Sequence, residues 1–265
     1  MPWTFAHPAA VLPLSRLCPR WLSFPGLVVG SLSPDFAYYV GAGSFASAAH
    51  SGWGLLYACL PPSLVLLWLL FRFSGPLTDP LPLPHRELAR SALSRSGLRG
   101  SWRALTLAAS VLIGAATHIG WDAFTHDART GVQWLPFLGT FLFSVAGWKV
   151  HVYTVLQHLS TLAGLSALVI VYRRAARSIA PISLISPVAP AEPAREQARR
   201  RSLVRLGAAS VAMGMLVTTV RTAATGSPFI PHQFVFGTVI STTSALALFY
   251  LLAALRFGQK QAGAA

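Results

Sequence analysis

The sequence predicts an all-α fold: a polytopic integral membrane helix bundle of about six transmembrane helices, with re-entrant or interfacial segments between them. Three observations predict it. Hydrophobic residues fill 54 % of the 265 positions and charged residues only 11 %, where ordinary soluble domains average about 25 % charged. Several apolar runs approach the roughly twenty residues that cross a bilayer. Lys and Arg gather in a few clusters between those runs, as topology signals do. That clustering also argues against nucleic acid as the meaning of the net charge of +14.

The elements follow in chain order. Residues 1–20 are moderately apolar but broken by Pro2, Pro8 and Pro13. About a dozen apolar residues are too few to cross, so an interfacial or re-entrant segment is expected. No basic region precedes the apolar stretch, so a cleaved signal peptide is not expected. The first span is placed at 21–40, where Pro34 should break the helix just before Asp35. A Pro-Asp pair inside a span belongs in a cavity, where irregular backbone is tolerated. His50 opens the second span at 52–73, interrupted by Pro61 and Pro62. The third span covers 102–126. The apolar run at 134–145 is expected to be an interfacial or re-entrant helix. The fourth span, 150–172, carries His151, Gln157 and His158. The fifth and sixth, at 203–223 and 234–257, hold almost no ionisable residue. Cys18 and Cys59 sit in apolar surroundings and suggest no disulfide framework.

Three regions result. Residues 1–177 form a membrane core, 178–201 a cytoplasmic Pro/Ala/Arg-rich linker, and 202–265 a C-terminal transmembrane helix pair. Basic residues at 16–20, 72–103, 173–205 and 256–260 fall on one side of six spans, against only Arg129, Lys149 and Arg221 on the other. This asymmetry places both termini in the cytoplasm.

The chemistry gathers in 117–126, T-H-I-G-W-D-A-F-T-H. His118, Asp122 and His126 are spaced four and four, which on a helix stacks all three on one face. Two imidazoles and a carboxylate suit a divalent metal such as zinc. Ionisable groups inside a span are costly without a partner or purpose. Depth points the same way. Asp35, His118 and His158 each lie fifteen residues from a basic residue at the cytoplasmic face (Arg20, Arg103 and Arg173). At 1.5 Å per residue all three come to about 22 Å, with Asp122 about 6 Å further out and His50, His126 and His151 at about 33–35 Å. His7 fits less well, because nine residues of helix from Arg16 climb only about 14 Å. His85 and His232 lie beside prolines and are read as loop residues.

These motifs resemble a bacterial membrane family known only as domain-of-unknown-function family 4184. The resemblance rests on P-W-T-F-A-H-P-A-A at 2–10, G-S-L-S-P-D-F at 30–36, H-S at 50–51, H-I-G-W-D-A-F-T-H at 118–126 and Q-H-L-S at 157–160. It implies a protein of the bacterial inner membrane. More loosely, the series of His, Pro-Asp and His-x-x-x-Asp is similar to that of membrane-bound proteins described as metal-dependent hydrolases. Those usually carry a second acid soon after Pro-Asp, where Phe36 and Ala37 stand here.

Three functions are compatible with these residues. The first is a metal-dependent hydrolase at the membrane–water boundary, with membrane lipids as partners and a phosphoester or acyl lipid as substrate. Asp35, His50, His118, Asp122 and His126 are its expected ligands to a divalent metal, zinc by donor type. Asp122 and His158 are its expected catalytic groups, and His7, His151 and Gln157 are accessory candidates. The second is a transporter or proton relay through the same groups. The third is a scaffold whose polar seam only joins helices. No nucleophile elbow or Walker sequence appears, which argues against serine hydrolases and P-loop NTPases.

Overall fold

A computed structural model of the chain describes residues 3–18, 21–94, 102–145, 148–185, 192–225 and 229–262. These fall into two compact units, one of residues 1–37, 43–69 and 94–175, the other of 38–42, 70–93 and 176–265.

A 3-10 turn at Thr4–Ala6 leads into α1 (Pro8–Leu17). Pro8 takes the first helical position, where its missing N–H leaves no bond unmade. α2 (Phe24–Leu32) is capped by Ser23, whose hydroxyl accepts the Gly26 N–H at 3.3 Å. Pro34 cannot donate to the Gly30 carbonyl one turn back. The Ser33 hydroxyl donates to that carbonyl instead, at 2.8 Å. The chain tightens to a 3-10 turn at Ser33–Asp35 and resumes as α3 (Phe36–Tyr39). The segment expected at 21–40 is thus a broken helix, interrupted at Pro34 as its sequence leads one to expect.

After α4 (Gly43–Ala49), a π-helical turn at Leu55–Cys59 feeds α5 (Leu60–Arg72). Pro61 and Pro62 lie within the continuous helical stretch Leu55–Arg72, and the interruption expected there takes the form of the π-helical turn just before them. Next come α6 (Ser74–Thr78), α7 (His85–Ser94), α8 (Trp102–Thr125) and α9 (Thr130–Trp134). The helix expected at 134–145 is not formed. A 3-10 turn at Pro136–Gly139 is followed by an antiparallel hairpin of β1 (Phe141–Val145) and β2 (Trp148–His151). The run is rich in aromatic and β-branched residues and flanked by glycines, which favour strands over helix. A short apolar run does not carry that distinction in its periodicity.

α10 (Val152–Ile185), α11 (Glu192–Thr225) and α12 (Pro231–Ala262) complete the chain. Helix thus extends into both ends of the stretch read as a linker, whose residues 186–191 lie outside the described residues. Among the described residues, five helices are long and apolar enough to cross a membrane: Leu55–Arg72, Ala104–Thr125, Val152–Ile179, Pro193–Thr225 and Gln233–Arg256. The protein is an all-α polytopic membrane bundle.

What positions the site is the contact between α2 and α8. Gly26 lies against Ser110, Gly30 against the Val111 backbone, and Gly114 against the turn of α2 from Leu27 to Ser31. A Cβ at Gly30 would come 2.7 Å from Val111 Cα, and one at Gly114 2.8 Å from the Ser31 nitrogen. Small residues four apart let two membrane helices approach this closely. The Ser23 N–H donates to Ser110 Oγ at 2.8 Å, and Leu27 and Val111 are fully buried beside the seam. In the second unit α11 packs on α12, with Gly214 against Thr242. There Glu196 takes the Arg86 and Arg199 guanidiniums at 2.6 Å each and the Leu83 N–H at 2.9 Å.

Candidate metal centre

Ser110, Gly114, His118 and Asp122 form a single four-residue series on α8, and His126 continues it one residue past the helix end. Its lower half is the small-residue seam and its upper half is the polar stripe. Packing of the seam therefore sets where the stripe meets α2. The His118 Nδ1–H donates to the Ser31 carbonyl at 2.7 Å. A carbonyl can only accept, so the proton is on Nδ1 and the Nε2 lone pair faces the other way. His50 is held alike, its Nδ1–H donating to the Ala46 carbonyl of α4 at 2.8 Å. Pro34 and the 3-10 turn present Asp35, which is fully buried. Thr4 Oγ1–H donates to Asp35 Oδ2 at 2.5 Å, which leaves Oδ1 turned to the interior.

These atoms converge. His118 Nε2 lies 3.4 Å from Asp122 Oδ2 and 3.8 Å from Asp35 Oδ1. His50 Nε2 lies 3.4 Å from Asp35 Oδ1 and 3.6 Å from Asp122 Oδ2. On the opposite side, His7 Nε2 approaches Asp122 Oδ1 to 3.6 Å, with its ring stacked on His118 at 3.7 Å. His126 Nδ1 stands 3.5 Å from the same Oδ1. Asp122 is thus surrounded by four imidazoles. Among the described residues, His7 Nε2, Asp35 Oδ1, His118 Nε2, Asp122 Oδ1 and His126 Nε2 are buried and make no hydrogen bond. Buried polar atoms seldom stay in that condition.

The spacing fits donors around one cation better than donors sharing protons. Ligands about 2.0–2.1 Å from a tetrahedral zinc ion stand roughly 3.4 Å apart. Two overlapping triads meet the requirement for a metal ion, His7–His118–Asp122 and Asp35–His50–His118, each with its donor atoms within 4.8 Å of one another. The backbone carbonyls on His118 and His50, and the Thr4 hydroxyl on Asp35, are contacts of the kind that orient ligands in metal sites.

The structure gathers Asp35, His118 and Asp122 as the stripe and depth suggest, with His126 at the rim, and it adds His50, which the depth reckoning sets further out. It corrects three expectations. His7 is inside the cluster, because the 3-10 turn and α1 enter from the side beside α8 and α10 instead of climbing from Arg16. His158, expected at the level of His118, is exposed and packs edge-on against Trp148 at 5.9 Å. Its neighbour Gln157 takes the buried position, and its backbone carbonyl accepts the Ser160 and Thr161 hydroxyls at 3.0 and 2.9 Å. His151 also lies elsewhere, stacked on Tyr153 at 5.1 Å with its Nδ1 3.3 Å from the Tyr153 hydroxyl. Arg20, Arg95, Arg99 and the side chains of Arg103 and His232 lie outside the described residues. Sequence reasoning missed Thr4, which lies in the quoted P-W-T-F-A-H stretch but carries no spacing signal of its own.

No curated protein and no solved structure matches the chain. The family model described as "Domain of unknown function (DUF4184)" matches residues 1–255, and the chain belongs to that family.

Proposed function

We propose that the cluster holds one or two divalent cations, zinc by donor type, and that the protein is a metal-dependent hydrolase working at the membrane–water boundary. The observation that carries this reading is the set of four buried, unbonded atoms, His7 Nε2, Asp35 Oδ1, His118 Nε2 and Asp122 Oδ1, gathered around His118 and Asp122. A seam joining helices would satisfy its polar groups, since a half-satisfied buried network is costly. A proton relay would need donor–acceptor distances shorter than the 3.4–3.8 Å between these groups. Location supports the boundary. Asp122 is three residues from the end of the candidate span Ala104–Thr125, and His50 is five residues before Leu55–Arg72.

His118, Asp122, His7, Asp35 and His50 would hold the cations. Those are more donors than the four that close a structural zinc site. Once bound, such a cation supplies Lewis acidity and brings the pKa of a bound water to about 7. The chain does the rest. Thr4, Ser31 and Ala46 fix the orientation of Asp35, His118 and His50. Residues 4–7 cover the cluster and keep bulk water out. His126, the most exposed of the imidazoles around Asp122, sits where a proton can be taken up or released, with Nδ1 3.2 Å from the Asp122 carbonyl.

Elemental analysis of the full chain purified in detergent tests the reading. About one or two zinc ions per chain are expected, with His118→Ala and Asp122→Ala each losing them, because each deletes a donor common to several contacts. Wild-type protein that takes up no divalent metal would end it. Metal-independent ion flux in proteoliposomes would favour the relay in its place.

A further inference from the structure

Beside His7 the first unit contains a cavity of about 290 Å³, walled by Ala6, Ala9, Trp121, Ala163, Gly164 and Ala167. Its walls are short because α10 presents glycine where residues 4–10 approach. A Cβ on Gly164 would stand 3.0 Å from the Ala6 carbonyl. Almost nothing along the walls is polar. The one hydroxyl at the side, Ser160 Oγ, donates to the Gln157 carbonyl at 3.0 Å and accepts the Trp121 Nε1–H at 3.2 Å. Water has no partners in such a space, and apolar cavities of this kind stay dry. His7, only 4 % exposed, is the one ionisable residue of the lining, and its Nε2 makes no hydrogen bond and lies 3.6 Å from Asp122.

The lining is therefore apolar apart from Ser160, whose hydroxyl is already bonded, and His7, which borders the cluster, a combination that suits an amphiphile. The cavity lies along the candidate span Val152–Ile179, near the exposed side chains of Leu159 and Leu162. The medium outside is hydrocarbon. An extended peptide would leave its N–H and C=O groups unmatched against walls of alanine and glycine. A hydrocarbon chain has none to match. We propose that the substrate is a membrane lipid with an anionic, oxygen-rich head, one chain of which lies in this slot while the head reaches the metal past His7. The proposal rests on the metal reading above and names the substrate class for that site.

Cobalt-loaded full-length protein in nanodiscs of fixed lipid composition tests it, with the visible absorption of the cobalt reporting whatever reaches the metal. The probes are methyl phosphate and dodecyl phosphate. Ala167→Phe places a ring in the slot, while Leu162→Phe on the same helix adds an equal ring outside it. Wild type and Leu162→Phe are expected to reach half-change at dodecyl phosphate mole fractions at least tenfold below that of Ala167→Phe. Methyl phosphate should not distinguish the three. Ala167→Ser, which keeps the slot open, should follow wild type and so separates filling from misfolding. Equal responses of wild type and Ala167→Phe to dodecyl phosphate would overturn the slot while leaving the metal centre standing. Absence of any cobalt spectrum in wild type would overturn both.

Discussion

Thr4 is a residue on which the candidate site depends without containing it. Its hydroxyl fixes one Asp35 oxygen and so aims the other at the cluster. Thr4→Val keeps the shape and deletes the hydrogen bond. Metal affinity, measured by competition with a chelator, should fall about 10–100-fold, the usual cost of an outer contact, while Thr4→Ser stays near wild type. An unchanged affinity in Thr4→Val would detach Asp35 from the metal. At this scale the sequence is informative where one helix carries several groups, since the four-and-four spacing of His118, Asp122 and His126 survives any detail of packing. It is uninformative where two numbers are needed. Rise along a helix places His158 level with His118, but each residue also turns about 100°, and that turn buries Gln157 and exposes His158. His7 shows the converse failure, because its depth depends on a chain path that no periodicity reveals.

Among the elements, the contact of α2 with α8 decides whether the polar stripe faces anything. Gly114 and Gly120 lie on the same helix and make opposite predictions. A side chain at Gly114 meets the backbone of α2, whereas a Cβ at Gly120 meets nothing within 4 Å. Gly114→Leu should separate the helices, cost about 1–3 kcal/mol or more by overpacking and release the metal together with the His118–Ser31 bond. Gly120→Ala should hold or slightly raise the melting temperature, since alanine is favoured over glycine by up to about 1 kcal/mol in a helix. Equal behaviour of the two variants would remove the seam from the argument. Sequence reasoning passed over the seam, although Gly26 and Gly30, like Ser110 and Gly114, stand four apart. The hairpin was harder to read, since a five-residue apolar run has no periodicity that separates a strand from a helical turn.

For the whole molecule, the alternating Lys/Arg clusters carry a topology that the helices alone do not orient. Reporter fusions after Gly75 and Ala180 are expected on the cytoplasmic side and one after Gly131 outside. A cytoplasmic signal at Gly131 would invert the assignment. Five helices of spanning length were legible from hydropathy, while the broken segment around Pro34 was legible only as a break. One feature reaches into the making of the protein. Residues 4–7 leave the ribosome well before α8 and α10, yet Thr4 and His7 find their partners in or beside the α2–α8 seam, and the Trp3 N–H donates to Thr161 at 3.3 Å. The Trp3–Thr161 contact can therefore form only after more than 150 further residues have been synthesised. A chain stalled or clipped before α10 would lack the helix face, at Thr161 and Gly164, against which residues 3–9 settle.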